Sequence, residues 1–180
     1  MPDVGDEANW VAVGDDEDAI VGDCAVASVG DRGRARAGDH GLAMAGHAGV
    51  ARAGVLASAY SGIRGYSETG ERGYSVAGDG GVAKAGEWGT AVAGVGGRVA
   101  CGPAGIVSLV ALDRRGRRTT LSASVAERPG DPGLIPNVFY ELIGNQFLIA
   151  DEQPEPPAQP ELPARLDGPT QPDDLAGDEW

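Results

Sequence analysis

Glycine recurs every eight residues from Gly14 to Gly102, through Gly22, Gly30, Gly38, Gly46, Gly54, Gly62, Gly70, Gly78, Gly86 and Gly94. An unbroken short period means one structural unit stacked on copies of itself. Numbered from that glycine, the clearest octads are Gly38-Asp-His-Gly-Leu-Ala-Met-Ala45, Gly78-Asp-Gly-Gly-Val-Ala-Lys-Ala85 and Gly86-Glu-Trp-Gly-Thr-Ala-Val-Ala93. Position four is usually a second glycine. Positions six and eight are small (Ala43, Ala51, Ala59, Ser67 and Ala45, Ala53, Ser61, Thr69 in four successive copies), while positions five and seven vary in size and charge.

Residues five to eight therefore alternate variable and small, the period of a strand with one buried face. The two glycines and the residues between them predict a tight corner, with glycine supplying a positive φ. A helix is a poor alternative, since glycine at every fourth place loses about 0.8–1 kcal/mol each relative to alanine. Alanine is too short to fill the ordinary spacing of about 10 Å between packed sheets. The chain is thus expected to be all-β: a flattened β-solenoid with an Ala/Gly-rich core, wound closely on itself.

The outward positions set the coil size. Taken alternately, one set of octads shows Arg34 and Arg36, Val50 and Arg52, Tyr66 and Glu68, Val82 and Lys84, Arg98 and Ala100, with a charge in every octad. The other shows Leu42 and Met44, Ser58 and Tyr60, Tyr74 and Val76, Thr90 and Val92, Ile106 and Ser108, with none. That split predicts two octads, or 16 residues, per coil and two faces, one charged and solvated, the other uncharged and largely apolar. Five coils between Gly30 and Leu109 would give an apolar stripe on the order of 24 Å long at roughly 4.8 Å per strand. The residues expected to make contact on it are Leu42, Met44, Tyr60, Tyr74, Val76, Val92 and Ile106. An apolar stripe of this length marks a covered surface. Its cover is either this chain's own C-terminal segment or a second copy, because two flat faces of equal repeat can meet about a two-fold axis.

With 30 glycines and 5% aromatic residues, no conventional large core is available. Four segments are expected: an acidic N-terminal stretch over 1–13, the octads over 14–109, a β-hairpin capping module over 110–150, and a disordered, acidic, proline-rich tail over 151–180. The net charge of −13 belongs to the ends: residues 1–23 carry eight acids and no Lys or Arg, and 151–180 carry nine acids against Arg165, which leaves the middle with 13 bases and 10 acids. No leader pattern opens the sequence and no 18-residue apolar run occurs, so a cytoplasmic protein without membrane contact is expected. Two cysteines make no disulfide framework; Cys101 falls at an inward position and Cys24 in a corner.

Beyond Leu109 the octads give way to strands over Ile106–Asp113, Thr119–Glu127, Val138–Leu142 and Phe147–Ala150, separated by Arg114-Arg-Gly-Arg-Arg118, by Arg128-Pro-Gly-Asp-Pro-Gly133 and by Ile143-Gly-Asn-Gln146. Phe139, Tyr140, Leu142, Phe147 and Leu148 form the one dense group of large hydrophobic residues. These strands are expected to seal the last coil and stop end-to-end stacking. Gly-x-x-Gly-x-Ala-x-Ala octads followed by Ile106-Val-Ser-Leu-Val-Ala-Leu-Asp113, Ile135-Pro-Asn-Val-Phe-Tyr-Glu-Leu142 and Gly144-Asn-Gln-Phe147 resemble the uncharacterised octapeptide-repeat proteins of bacteria and phages, over about residues 14–150. That resemblance implies a solenoid with a small C-terminal β domain and assigns no catalytic residue. The period is also similar to that of the sixteen-residue coils of bacterial ice-nucleation proteins.

No catalytic chemistry emerges. Gly94-Val-Gly-Gly-Arg-Val99 lacks the Lys-Ser/Thr ending of a phosphate loop, and no nucleophile stands with a base. Asp31, Asp39 and Asp79 recur too irregularly at position two for calcium coils and are read as caps of corner amides. His40 and His47 lie in successive corners with no third ligand at suitable spacing, so no metal or other cofactor is expected. Arg34, Arg36, Arg52, Lys84 and Arg98 are interrupted by Glu68, which argues against a nucleic-acid partner. The sequence thus points away from an enzyme and toward a structural or protein-binding module whose uncharged face contacts a second copy or another protein. An ice- or lattice-binding surface is the alternative, though hydroxyls on that face are few (Ser58, Thr90, Ser108).

Overall fold

The computed structural model describes residues 9–113, 115–143 and 145–151; the tail foreseen over 151–180 lies outside these except for Asp151. Sixteen strands form two sheets of eight, with no helix among the described residues. One sheet contains, in spatial order, β1 (Trp10–Ala12), β3 (Val26–Ser28), β5 (Leu42–Ala45), β7 (Ser58–Ser61), β9 (Tyr74–Ala77), β11 (Thr90–Ala93), β13 (Ile106–Leu112) and β14 (Arg118–Ser124). The other contains β2 (Asp18–Ile20), β4 (Arg34–Arg36), β6 (Val50–Ala53), β8 (Tyr66–Thr69), β10 (Val82–Ala85), β12 (Arg98–Cys101), β15 (Tyr140–Ile143) and β16 (Gln146–Ile149). The chain crosses from one sheet to the other at every octad. Strands of successive coils pair in parallel at a 16-residue offset, as in Leu42↔Ser58 and Val50↔Tyr66. The protein is a β-solenoid with two octads per coil.

The small inward residues form the core. Ala27, Ala43, Ala59 and Ala91 of one sheet and Ala51 and Ala83 of the other are completely buried. Toward the C-terminus the core residues grow to Val99, Val107, Leu109 and Tyr140. Midway, four of the inward, buried residues carry hydroxyls: Ser61, Ser67, Thr69 and Ser75. This layer separates an alanine-rich half, Ala19 to Ala59, from a half that runs from Ala77 into the cap. Ser75 Oγ donates to Ser67 Oγ at 2.8 Å across it, whereas the Ser61 and Thr69 hydroxyls have no partner among the described residues.

The corners differ from the expected turn. Positive φ falls on octad position three, not on the two glycines, and ten of its twelve occupants are other residues, with φ from 52° at Ala48 to 58° at Arg32; Gly80 and Gly96 are the exceptions. The left-handed residue donates its amide to the next coil, as Cys24 N does to Asp39 O at 2.8 Å and Leu56 N to Glu71 O at 2.9 Å. The glycines are needed for a different reason, which is space. A Cβ on Gly33 would sit 2.6 Å from Glu17 O of the preceding coil and 2.8 Å from the Val29 Cβ. The corner aspartates act as foreseen. Asp31 Oδ1 accepts the His47 amide, Asp39 Oδ1 that of Val55 and Asp79 Oδ1 that of Val95, each one coil further on.

The C-terminal module closes both sheets at one end. β14 turns back antiparallel on β13 and extends one sheet. β15 pairs with β12 through Val99↔Tyr140 and carries β16, extending the other. Val125 and Tyr140 seal the core beneath them, and the Ile135 amide donates to the Tyr140 hydroxyl at 2.8 Å. Arg118 ties the β13–β14 hairpin to the corner at Asp79, at 2.6 Å.

Candidate binding face

The outward residues of the β1–β14 sheet form two continuous ladders. One runs Trp10, Val26, Leu42, Ser58, Tyr74, Thr90, Ile106, Ser124, and the other Ala12, Ser28, Met44, Tyr60, Val76, Val92, Ser108, Ser122. Neither contains a charged side chain; Arg118, opposite Leu112 at the start of β14, has the same outward parity but lies beyond both ladders. All seven residues anticipated for the contact surface lie on these ladders. Of the large side chains on them, Trp10, Tyr60, Tyr74 and Ile106 are exposed, at 64%, 39%, 42% and 47%, while Leu42, Met44, Val76 and Val92 are half-buried by their neighbours above and below. Tyr60 and Tyr74 sit on the two central strands with ring centroids 6.2 Å apart, tilted by 58°.

The face is longer than the octads announced. β1 precedes Gly14, inside the stretch expected to be only an acidic lead-in. Trp10 and Ala12 occupy positions five and seven of an octad whose first place holds Asp6 instead of glycine, so the glycine count hid them. Val26 and Ser28 belong to a complete octad and were legible. Ser122 and Ser124 join through the antiparallel return of β14, which no octad pattern encodes.

The opposite sheet has the charged outer face, but it is not uniformly solvated. Ala100 is completely buried, together with Phe139 and Ala150 of the C-terminal module. Tyr66 is 6% exposed, its ring 5.8 Å from the Arg52 guanidinium carbon; burial first, and then the Glu68 carboxylate, push its hydroxyl far above the usual tyrosine range. Glu68 lies 3.3 Å from Arg52 and 3.0 Å from Lys84, and Arg98 lies 3.8 Å from Glu141. Three of the five bases that read as a basic track, Arg52, Lys84 and Arg98, are thus paired within the sheet. Beside them a shallow groove of about 560 Å³ runs along Arg36, Arg52 and Glu68 and the corner acids Asp23 and Asp39.

Compared with family models, with curated proteins and with solved structures, the chain matches none. Among the described residues, no three His, Cys, Asp or Glu side chains come together as a metal site, and no helix is long and apolar enough to cross a membrane. Both cysteines are free: Cys24 is exposed, and Cys101 is buried with its Sγ 3.2 Å from Gly89 O. Burial pushes the Cys101 thiol up to about 11, the reverse of what a reactive thiolate needs. What the uncharged sheet offers is contact area without concavity, a geometry suited to another flat surface and not to a small molecule.

Proposed function

We propose that this protein is a non-enzymatic structural or protein-binding module whose contact surface is the uncharged outer face of the β1–β14 sheet. One observation carries the reading: two ladders without a charge run the whole height of the solenoid, while the opposite sheet has a charge in every octad strand. Charges are inexpensive on a solvated strand and costly in a contact, so their segregation separates a surface meant for water from one meant for a partner. The C-terminal module leaves that face open. Its two hairpins extend the sheet edges, and Phe139 and Ala150 pack on the other sheet.

The test places one carboxylate on the face. Tyr60→Asp and Val76→Asp are expected to abolish association, read by sedimentation and by pull-down, while Arg36→Asp on the opposite sheet leaves it intact. Circular dichroism confirms that the strands persist. Unchanged association in both face variants refutes the reading.

A further inference from the structure

We infer that the partner on this face is a second copy of the chain, packed face to face with its solenoid axis reversed. The inference rests on the contact-face reading above and adds the occupant and its orientation. Two copies can share a flat face about an in-plane two-fold axis in two ways. An axis along the solenoid leaves the stacks parallel and puts each strand on its own equivalent. An axis along the strands reverses the stacks, so that the first strand of one copy meets the eighth of the other and outward position five meets position five.

Side-chain size fits the reversed arrangement. With the axis between the central strands β7 and β9, Tyr74 meets Ser58 of the partner subunit and Trp10 meets Ser124 of the partner subunit. Leu42 likewise meets Thr90 of the partner subunit. In these three pairs a large side chain lies against a small one, while Val26 meets Ile106, Met44 meets Val92 and Tyr60 meets Val76 of the partner subunit as apolar pairs.

Charge decides between the two arrangements. The corner after β1 and the next corner on the same edge hold Asp15, Asp16, Glu17 and Asp31 against Arg32 alone. At the other end of that edge, the β13–β14 hairpin holds Arg115, Arg117 and Arg118 against Asp113 and the Asp79 carboxylate that Arg118 reaches, which leaves this end net positive. Reversal about the strand direction keeps this edge on the same side, so the acidic end of one copy meets the basic hairpin of the other, twice. The parallel arrangement instead brings the acidic corner beside the Asp23 corner of the partner subunit, where like charges repel. On the far edge the reversed pair has one unfavourable approach, Asp39 toward Glu87 of the partner subunit. The area suffices: eight strands at about 4.8 Å and about four residues at 3.3 Å present roughly 500 Å² per copy, or about 1,000 Å² in all, the lower bound for a specific interface.

The test is cysteine crosslinking in full-length protein carrying Cys24→Ser, which removes the exposed native thiol. Val26 and Ile106 lie five strand steps apart on one ladder, about 24 Å, beyond the reach of a disulfide within one molecule. Under oxidation, a mixture of Val26→Cys and Ile106→Cys proteins is expected to give a linked pair that neither gives alone, and Tyr60→Asp is expected to weaken self-association by at least about a hundredfold. If Val26→Cys links to itself while Tyr60→Asp still dissociates the pair, the reversed orientation is overturned and the contact face stands. A dimer indifferent to Tyr60→Asp overturns both. A monomer at every concentration overturns the second copy as occupant and leaves the face to the pull-down.

Discussion

Gly86 lies directly on Gly70 of the preceding coil: its amide donates to Gly70 O at 3.1 Å, and a Cβ added to it would come within 2.6 Å of the Gly70 carbonyl carbon. Backbone stacks on backbone at octad position one, and the neighbour there is not a side chain that can move. Gly86→Ala is therefore expected to destabilise the fold by about 1–3 kcal/mol, the range for forcing a methyl into a filled site. Gly22 occupies the same octad position with nothing within 4 Å of an added Cβ and a negative φ, so Gly22→Ala is expected to be neutral. Chemical denaturation of the two variants checks the contrast.

Ala48 and Leu56 hold φ of 52° and 53° at octad position three, where an L-residue costs roughly 1–2 kcal/mol. Ala48→Gly and Leu56→Gly are expected to relieve that strain by more than the added unfolded-state entropy takes away, stabilising by about 0.5–1 kcal/mol each. A rise in the denaturation midpoint is the readout.

The hydroxyl layer predicts opposite signs for two serines. Ser61→Ala removes a buried oxygen without a partner and is expected to stabilise by about 1 kcal/mol. Ser67→Ala strands the Ser75 hydroxyl and is expected to cost about the same. The double variant Ser67→Ala/Ser75→Ala should return close to the starting stability, and a double-mutant cycle measures the difference.

Cys101 sets an alkaline limit. Its thiol is raised from 9.0 to about 11 in the fold, so the folded state holds its proton more tightly than the unfolded chain. The resulting stability is fully present below pH 9 and is lost as pH rises toward 11. Cys101→Ala is expected to flatten that limb of the pH–stability curve. At neutral pH, a thiol reagent is expected to modify exposed Cys24 and leave Cys101 untouched until the protein unfolds.

The octad spelled out much of the fold. Small residues at positions six and eight gave the inward face, and alternation of charge between successive octads gave the coil size, because a parallel ladder puts residues sixteen apart on one line. The shared face of Leu42, Met44, Tyr60, Tyr74, Val76, Val92 and Ile106 followed from the same count. The corner was read in the right place for the wrong reason. Sequence shows that Gly70 and Gly86 are required, but crowding by an adjacent coil and a positive φ leave the same mark, and only the stacked backbone separates them. Trp10 escaped notice because the octad before Gly14 has Asp6 where glycine is expected.

Period and residue size together determined a thin solenoid with one charged and one uncharged sheet, since both are properties of a strand's own alternation and its repeat. The tertiary structure decided what happens where the repeat stops. β14 and β15 close different sheets, and Phe139 and Ala150 cover Ala100 on the charged side, leaving the Tyr60–Tyr74 face open. Those contacts join segments tens of residues apart, and their energy comes from fitting particular surfaces together, which no periodic pattern records.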